Sequence, residues 1–374
     1  MTSTARSDGF PRPLERVAIV GTGLIGTSIA LAAARAGCTV RGWDADPGVA
    51  ARAAATVALD EASTLDDAAR DADLVIVCTP IVALAGSIVA ALRAAPGAIV
   101  SDAGSVKTHV LEAVAELADP RDLPRFVGGH PMGGTERSGP EHAAASVVDG
   151  IVWAVIPTPA SAADAVAGLE GWIQRIGARP VRLAGDRHDR LVAFASHLPQ
   201  VASTSLMGLA AAEEAGEPEI LLLAAGGFRD LTRLAASNPG LWTEILLANR
   251  DQITDAIDLY VDRLRELRDE VAAGRAPGVE RTFEDAKRAR LRLATKPTVR
   301  AGVAVLQVEI PDEPGALARI TAVLGDGEVN IEDLQIVHSP EGGRGTVHLT
   351  VASAVAPDAA SVLRGGGYDP IRLA

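Results

Sequence analysis

A glycine-rich motif near the start of the chain most constrains its fold. The sequence GTGLIG at 21–26 directly follows the apolar segment Val17–Val20 and opens an alanine-rich segment of helical character. This order of strand, glycine loop and helix is typical of a βαβ unit that binds a dinucleotide. Gly21 permits the tight turn, Gly23 lets the backbone approach a pyrophosphate, and Gly26 allows close contact between helix and strand. The free N–H groups at the start of the helix favour the phosphates.

An acidic residue follows the second predicted strand, Thr39–Trp43. Asp44 stands where a carboxylate accepts hydrogen bonds from the ribose hydroxyls and repels a 2′-phosphate, so we expect NAD rather than NADP. Asp46 is better placed to cap the helix predicted from Pro47. The candidate cofactor-binding residues are Gly21, Gly23, Leu24, Ile25, Gly26, Asp44, Thr79 and Pro80.

Strands and helices alternate through the first half of the chain. The strands are apolar throughout, as in Asp73–Cys78 and Ile151–Ile156. Such strands indicate a parallel sheet that is covered by helices on both faces. We therefore predict an α/β fold with a Rossmann-like dinucleotide-binding domain at 14–185, preceded by a disordered leader at 1–13.

The pattern changes near residue 186. From 186 to 296 we find no strand-like run, and Trp242–Leu267 has helical spacing of apolar residues. The apolar stretch Val192–Ala212 predicts a buried helix at a subunit or domain contact. We predict an all-helical domain here. Residues 302–374 show a βαββαβ order of ferredoxin-like size, with the second strand at Asn330–Val337, and form a third domain.

Charge and composition exclude several classes of partner. The 374 residues contain 35 Lys and Arg against 48 Asp and Glu, and the net charge of −13 disfavours nucleic acid. Neither of the longest apolar stretches predicts a membrane span. The two cysteines, Cys38 and Cys78, form neither a disulfide framework nor a metal site, and they are typical of a reducing compartment. We therefore expect a cytoplasmic protein without a metal, nucleic-acid or membrane partner.

Two polar clusters follow predicted strands. The first is DAGSVK at 102–107, at the edge of the sheet where α/β proteins bind ligands. Its Ser105 is a candidate site residue or, equally well, a helix N-cap. The second is GGHPMGG at 128–134, which contains His130. A histidine titrates near neutral pH and is the commonest general base, so His130 is our candidate base.

Two further clusters lie in the helical region. His197 belongs to SHLPQ at 196–200, and a histidine on an apolar face is usually a satisfied core residue. Arg229 and Arg233 flank Asp230. If these charges are buried, a single aspartate cannot satisfy both arginines, and a spare arginine suggests a substrate that carries a carboxylate.

In this order, the motifs resemble those of the prephenate/arogenate dehydrogenase family of tyrosine biosynthesis. The motifs are GxGxxG, DxGSVK, GxHPMxG, SHLP and FRDxTRxAxSxPxxW, of which the last is highly specific. They fall within residues 16–295. The sequence PDEPGAL at 311–317 resembles the opening of an ACT domain, a regulatory module that binds amino acids. Many members of the family end before such a domain.

The resemblance implies a role for each matching residue. His130 corresponds to the histidine that accepts the proton of the ring 4-hydroxyl. Ser105 corresponds to a serine that bonds this hydroxyl and the histidine near the nicotinamide. Arg233 corresponds to the arginine that holds a substrate carboxylate. The remaining candidates for the pocket wall are His197, Asp230, Gln200 and Trp242, the last of which closes the pocket from a neighbouring subunit.

The implied reaction is the NAD-dependent oxidative decarboxylation of prephenate to 4-hydroxyphenylpyruvate. An arogenate dehydrogenase, which forms tyrosine directly, is the alternative, and Gln200 is a candidate discriminator between the two substrates. A non-catalytic amino-acid sensor is disfavoured because His130, Ser105 and Arg233 are all present. A 3-hydroxyacid dehydrogenase also joins a dinucleotide-binding domain to helices, but the HPMxG and DxTRxA segments disfavour it.

A partner subunit and a small-molecule effector are also expected. The helical region 186–295 carries more apolar surface than a small domain can bury, which predicts a homodimer. The resemblance to an ACT domain implies an amino-acid effector, with tyrosine as the natural ligand. Gly315, at the turn into the first helix, and Asn330, at the start of the second strand, are the candidate effector-binding residues.

Overall fold

The computed structural model describes residues 13–56, 59–133, 137–294, 303–338 and 344–373. Two compact units divide the chain, one from Met1–Gly208 and Thr232–Asp258 and the other from Leu209–Leu231 and Leu259–Ala374. Except for Pro13, the predicted leader lies outside the described residues. The predicted domain boundaries stay predictions.

An eight-stranded sheet forms the centre of the first unit. Its strands are β1 (Arg16–Val20), β2 (Thr39–Trp43), β3 (Asp60–Glu61), β4 (Leu74–Val77), β5 (Ile99–Asp102), β6 (Phe126–Pro131), β7 (Val152–Ile156) and β8 (Arg179–Arg182). Their order in space is β3-β2-β1-β4-β5-β6-β7-β8. All pairs from β3 to β6 are parallel. The strand order reverses between β1 and β4, which is where sheets of this kind bind ligands.

Helices cover both faces of this sheet. They are α1 (Leu24–Arg35), α2 (Pro47–Thr56), α3 (Leu65–Ala69), α4 (Ile81–Ala94), α5 (Thr108–Leu117) and α6 (Ala163–Arg175). Side chains alternate across β1, so Val17 and Ile19 join one apolar core while Ala18 and Val20 join the other. This double burial explains why the strands are apolar throughout.

The prediction of a parallel sheet is wrong beyond β6. β7 pairs with β6 antiparallel, with His130 opposite Ala154, and β8 is parallel to β7. A parallel neighbour needs a long crossover, usually a helix, to return the chain to the starting edge. The described part of 132–151 instead contains two short 3₁₀ turns, Pro140–His142 and Ala145–Val147.

The region after β8 is helical, as predicted. Its helices are α7 (Gly185–Val192), α8 (Leu198–Glu214), α9 (Glu219–Leu222), α10 (Gly226–Thr232), α11 (Pro239–Ala248), α12 (Arg250–Ala272) and α13 (Ala276–Ala294). A single π-helical turn, Ala193–His197, joins α7 to α8. The predicted helical segment Trp242–Leu267 is divided between two helices: α11 ends at Ala248, and the buried Asn249 is its C-cap residue. Among the described residues, no helix is both long and apolar enough to cross a membrane.

The last part of the chain has the predicted βαββαβ order. Its elements are β9 (Val303–Pro311), α14 (Ala316–Asp326), β10 (Asp333–His338), β11 (Arg344–Ala352), α15 (Ala356–Gly365) and β12 (Ile371–Leu373). They form an antiparallel sheet in the order β10-β11-β9-β12, whose apolar face packs on the helices. The second strand begins at Asp333, so the predicted start at Asn330 is wrong. Asn330 lies in the preceding loop, where its amide donates to Glu332 at 2.6 Å.

Candidate active site

The glycine-rich loop lies at the carboxyl end of β1, beside the end of β4. Gly21 has a φ of +94°, and a Cβ there would lie 2.7 Å from the carbonyl oxygen of Cys78. A Cβ at Gly26 would lie 2.0 Å from the carbonyl oxygen of Gly21, whereas a Cβ at Gly23 would meet nothing within 4 Å. The loop therefore demands glycine at two positions and leaves open space at the third. This space, at the first turn of α1, fits a pyrophosphate.

Asp44 at the end of β2 is tied to the same loop. Its Oδ2 atom accepts a hydrogen bond from the N–H of Thr22 at 2.7 Å, and its Oδ1 atom accepts one from the N–H of Asp46 at 3.0 Å. Asp46 in turn accepts a hydrogen bond from the N–H of Gly48 at 2.8 Å and so caps α2, as expected. Asp44 is thus held at the edge where a ribose would lie, without serving as that cap.

A buried hydroxyl lies at the adjacent strand end. The Oγ1 atom of Thr79, just after β4, is buried and has no hydrogen-bond partner among the described residues. Pro80 follows and is the N-cap residue of α4. An orphaned polar atom beside a glycine loop suits a bound group that supplies its partner. The residues at the ends of β1, β2 and β4 therefore fit a dinucleotide.

A buried ion pair joins the ends of β5 and β6. Lys107 bonds to the carboxylate of Asp102, and both side chains are fully buried. The Nζ atom of Lys107 also donates to the carbonyl oxygen of Gly129 at 2.8 Å, and Asp102 accepts from the N–H of Gly129 at 3.0 Å. The pair thus holds the DxGSVK segment against the backbone next to His130. Breaking such a pair leaves a buried charge without compensation, so we infer a positioning role for it.

His130, at the carboxyl end of β6, is hydrogen-bonded to a second histidine. Its Nδ1 atom lies 2.9 Å from Nε2 of His188, and Nδ1 of His188 lies 2.8 Å from Oδ1 of Asp189. Burial lowers the pKa of His130 well below its usual value, and the nearby His188, Lys107 and His197 lower it further. His130 is therefore neutral near pH 7 and can accept a proton.

Asp189 caps the start of α5. Its two carboxylate oxygens accept hydrogen bonds from the N–H groups of Lys107 at 2.8 Å and Thr108 at 2.7 Å. Burial alone would raise the pKa of Asp189, but hydrogen bonds from His188 and the start of α5 outweigh it and lower the pKa. The alternative in which Ser105 is the N-cap is therefore wrong. Ser105 lies half-buried before the helix.

His197 ends the π-helical turn and is buried. Its Nδ1 atom lies 3.1 Å from Nδ2 of Asn249, and its ring meets that of Trp242 edge to face, with centroids 6.0 Å apart. Burial lowers the pKa of His197 to about 4. The ring contact of Trp242 lies within one chain, so it does not require the neighbouring subunit from which we expected Trp242 to act. Single π-helical turns occur frequently at functional sites.

Gln200 is buried on α8 and binds the segment that follows Arg233. Its Nε2 atom donates to the carbonyl oxygen of Leu234 at 2.8 Å, and its Oε1 atom accepts from the hydroxyl of Ser237 at 3.3 Å. Arg233 itself is exposed and begins the 3₁₀ turn Arg233–Ala236. These contacts attach α8 to the turn that begins at Arg233, and the role of Gln200 as substrate discriminator stays a prediction.

The charges of α10 are exposed. Arg229, Asp230 and Arg233 are all exposed, so the condition of buried charge, under which a spare arginine would suggest a carboxylate substrate, is not met. Asp230 as a pocket residue stays a prediction.

In the last part of the chain, Gly315 has a φ of +86° at the start of α14, and Asn330 is exposed. Both are accessible to a ligand, and their effector role stays a prediction.

Three polar residues of the site were not expected from the sequence. His188 and Asp189 belong to the run DRHDR at 186–190, which resembles an exposed charged segment, yet both are buried. Asn249, which donates to the carbonyl oxygen of Asp189 at 2.9 Å, lies inside the segment Trp242–Leu267, whose apolar spacing we interpreted as helical. The adjacent histidine and aspartate, His188 and Asp189, were the feature of the sequence that could have indicated these site residues. Across the part of the chain that the structure describes, no group of potential ligands could hold a metal ion.

A dinucleotide loop, a neutral histidine at the same sheet edge and a helical partner region define a nucleotide-dependent dehydrogenase. Family models match the chain as "Prephenate dehydrogenase, nucleotide-binding domain" at residues 29–182, "Prephenate dehydrogenase, dimerization domain" at 184–285, and "ACT domain" at 304–364. The chain belongs to the prephenate dehydrogenase family and carries a C-terminal ACT domain. The predicted family and fold class are confirmed.

Individual relatives agree with this assignment. The chain is 30% identical to prephenate dehydrogenase of Bacillus subtilis over 349 residues, which cover 91% of this chain and 92% of the relative. It is 34% identical to cyclohexadienyl dehydrogenase of Zymomonas mobilis, covering 76% of this chain and 98% of the relative. The structure of Synechocystis arogenate dehydrogenase matches with a TM-score of 0.64 at 27% identity, covering 74% of this chain and 99% of that one.

A further solved structure shares the fold. Prephenate dehydrogenase from Aquifex aeolicus, in complex with hydroxyphenyl propionate and NAD⁺, matches with a TM-score of 0.69 at 24% identity. The match covers 76% of this chain and 99% of that chain.

Proposed function

We propose that this protein is an NAD-dependent prephenate dehydrogenase, which converts prephenate to 4-hydroxyphenylpyruvate and carbon dioxide. The observation that carries the proposal is the neutral, hydrogen-bonded His130 at the same sheet edge as the glycine-rich loop. Asp44 supports NAD over NADP because a carboxylate repels a 2′-phosphate. The NAD⁺ in the Aquifex aeolicus structure supports the same choice.

In the proposed reaction, each site residue has one role. NAD supplies the acceptor for the hydride. His130 takes the proton of the ring hydroxyl, which lets the hydride leave the same carbon, and Ser105 orients that hydroxyl. The bond to the ring carboxylate then breaks, carbon dioxide leaves, and its electron pair makes the ring aromatic. The phenolate recovers the proton from His130, while Arg233 holds a substrate carboxylate throughout.

Arogenate is the second candidate substrate. It differs from prephenate in bearing an amino group where prephenate bears a keto group. One solved structure that the chain resembles is named arogenate dehydrogenase, and the Bacillus subtilis relative is named prephenate dehydrogenase. We favour prephenate because the Bacillus subtilis relative matches across nearly the whole chain. NADH absorbance measured with each substrate tests this: a higher kcat/KM with prephenate is expected, and reduction of NAD with neither would overturn the proposed function.

We also propose that the active form is a homodimer. The chain contains the family's dimerisation domain, and its helices expose large apolar side chains. These are Leu209, Leu222, Leu223, Leu231, Leu241, Leu247, Leu259, Leu264, Val271 and Phe283. Exposed apolar side chains of this kind mark an interface, and a second copy of the chain can cover them because it presents the same apolar side chains in return. Light scattering decides between dimer and monomer.

Tyrosine is our proposed effector, acting through the ACT domain. The pathway product is the natural signal for an enzyme of tyrosine biosynthesis, and the exposed Gly315 turn leaves its backbone accessible. Inhibition requires that tyrosine binds better to a less active state.

We further propose a cytoplasmic location, because Cys38 and Cys78 are both free thiols.

A further inference from the structure

Two buried residues lie behind His130. His188 is 1% exposed and Asp189 is 2% exposed, whereas His130 itself is half-buried. A substrate at the sheet edge therefore meets His130, and the other two residues can act only through it. The three side chains form one chain of hydrogen bonds, with distances of 2.9 Å between the histidines and 2.8 Å between His188 and Asp189.

The direction of these hydrogen bonds follows from Asp189. Its carboxylate accepts the two N–H groups at the start of α5, and a carboxylate has no proton to donate. The Nδ1 atom of His188 must therefore carry a proton and donate to it. With a single ring proton, on Nδ1, His188 has a lone pair on Nε2, which accepts from Nδ1–H of His130. This leaves the lone pair of His130 on Nε2.

We propose that His188 and Asp189 are positioning residues, which hold His130 in the tautomer that presents Nε2 as the base. The proposal rests on the function proposed above for His130. When His130 accepts the substrate proton, its charged ring donates a stronger hydrogen bond to His188, and Asp189 balances the charge through that ring. The other charged neighbour, Lys107, is already paired with Asp102, so Asp189 is the carboxylate available to His130.

Two substitutions of His188 separate this role from a structural one. His188→Gln keeps an amide that can donate to Asp189 and an oxygen that can accept from His130. His188→Leu keeps bulk but has no polar atom. We expect His188→Leu to lower kcat by about 10–100-fold with little change in KM or NAD affinity, and His188→Gln to retain most of the parent kcat.

The tautomer itself gives a readout that does not depend on activity. In protein labelled with ¹⁵N-histidine, the His130 signals are assigned by their loss in His130→Asn. We expect His130 to carry its proton on Nδ1 in the parent and in His188→Gln, and to lose that preference in His188→Leu. A parent tautomer with the proton on Nε2, or an unchanged tautomer and kcat in His188→Leu, would overturn the proposal. If neither prephenate nor arogenate is oxidised, the proposed function fails, and the tautomer still decides the hydrogen-bond chain.

Discussion

Asn249 determines which nitrogen of His197 is an acceptor. The Nδ2 atom of Asn249 donates to the carbonyl oxygen of Asp189 at 2.9 Å, so this atom is the amide nitrogen, and Nδ1 of His197 at 3.1 Å must accept from it. Because His197 is neutral near pH 7, its proton then lies on Nε2. In the folded chain near pH 7, the ring of the buried His197 thus has one hydrogen-bond donor, Nε2–H.

The first prediction concerns stability at acid pH. The pKa of His197 is about 4 in the folded chain, below its ordinary value of 6.5, so the unfolded chain binds this proton first. Stability is therefore lost as the pH falls from 6.5 towards 4, by about 2 kcal/mol at about pH 5. We expect His197→Gln to show a smaller drop in thermal midpoint between about pH 7.5 and about pH 5 than the parent.

The matched control for this prediction is His109→Gln. His109 is exposed on α5, so this substitution should leave the pH dependence of the thermal midpoint as it is in the parent. Equal pH dependence in the two variants would show that the buried His197 does not couple folding to protonation.

The second prediction concerns the pH dependence of catalysis. The base must be neutral, and burial lowers the pKa of His130 well below 6.5. We expect kcat/KM to be level near neutral pH and to fall only on the acid side of 6.5. His130→Asn should lower kcat by about 10²–10⁴-fold, keep NAD affinity, and lack this acid limb. A variant with near-parent turnover would remove His130 from the mechanism.

The third prediction concerns cofactor choice. Asp44 lies at the ribose edge and repels a 2′-phosphate, so kcat/KM should be much higher with NAD than with NADP. Asp44→Ser should narrow that difference. Asp46→Ser is the control, because Asp46 caps α2 and should affect only stability. Steady-state kinetics with both cofactors provide the measurement, and equal efficiencies in the parent would contradict the assignment.

The fourth prediction concerns the substrate carboxylate. Arg233→Ala should raise KM strongly and change kcat less, since it removes a partner present in both ground and transition states. Arg229→Ala, an exposed arginine in the same motif, is the matched control and should leave KM near the parent value. The reverse result in initial-rate measurements would identify Arg229 as the anchor.

Most helices and strands could be predicted from the sequence, because the burial of an element determines which of its own residues are apolar. The residues of the apolar strands and of the glycine loop are selected by their immediate surroundings, and β1, Arg16–Val20, contains the apolar segment Val17–Val20 from which we predicted it. The antiparallel pairing of β7 was missed because the direction in which two strands pair depends on the connection between them, here 132–151, and not on the residues of the strand itself. Asp189 was missed because the N–H groups that compensate its burial belong to Lys107 and Thr108, which are 82 and 81 residues away along the chain.

The last prediction concerns the ACT domain. We expect tyrosine to inhibit the full chain and to have no effect on a chain that ends at Thr295, because the second lacks the effector module. Since truncation can disturb the rest of the protein, Asn330→Leu provides a second variant within the full chain. Asn330 is exposed and offers both a donor and an acceptor to an amino acid. This variant should keep kcat and KM but need more tyrosine for half-inhibition, as measured by initial rates against tyrosine concentration. If the full and shortened chains respond identically, tyrosine either competes at the active site or has no effect, and the ACT domain is not its receptor.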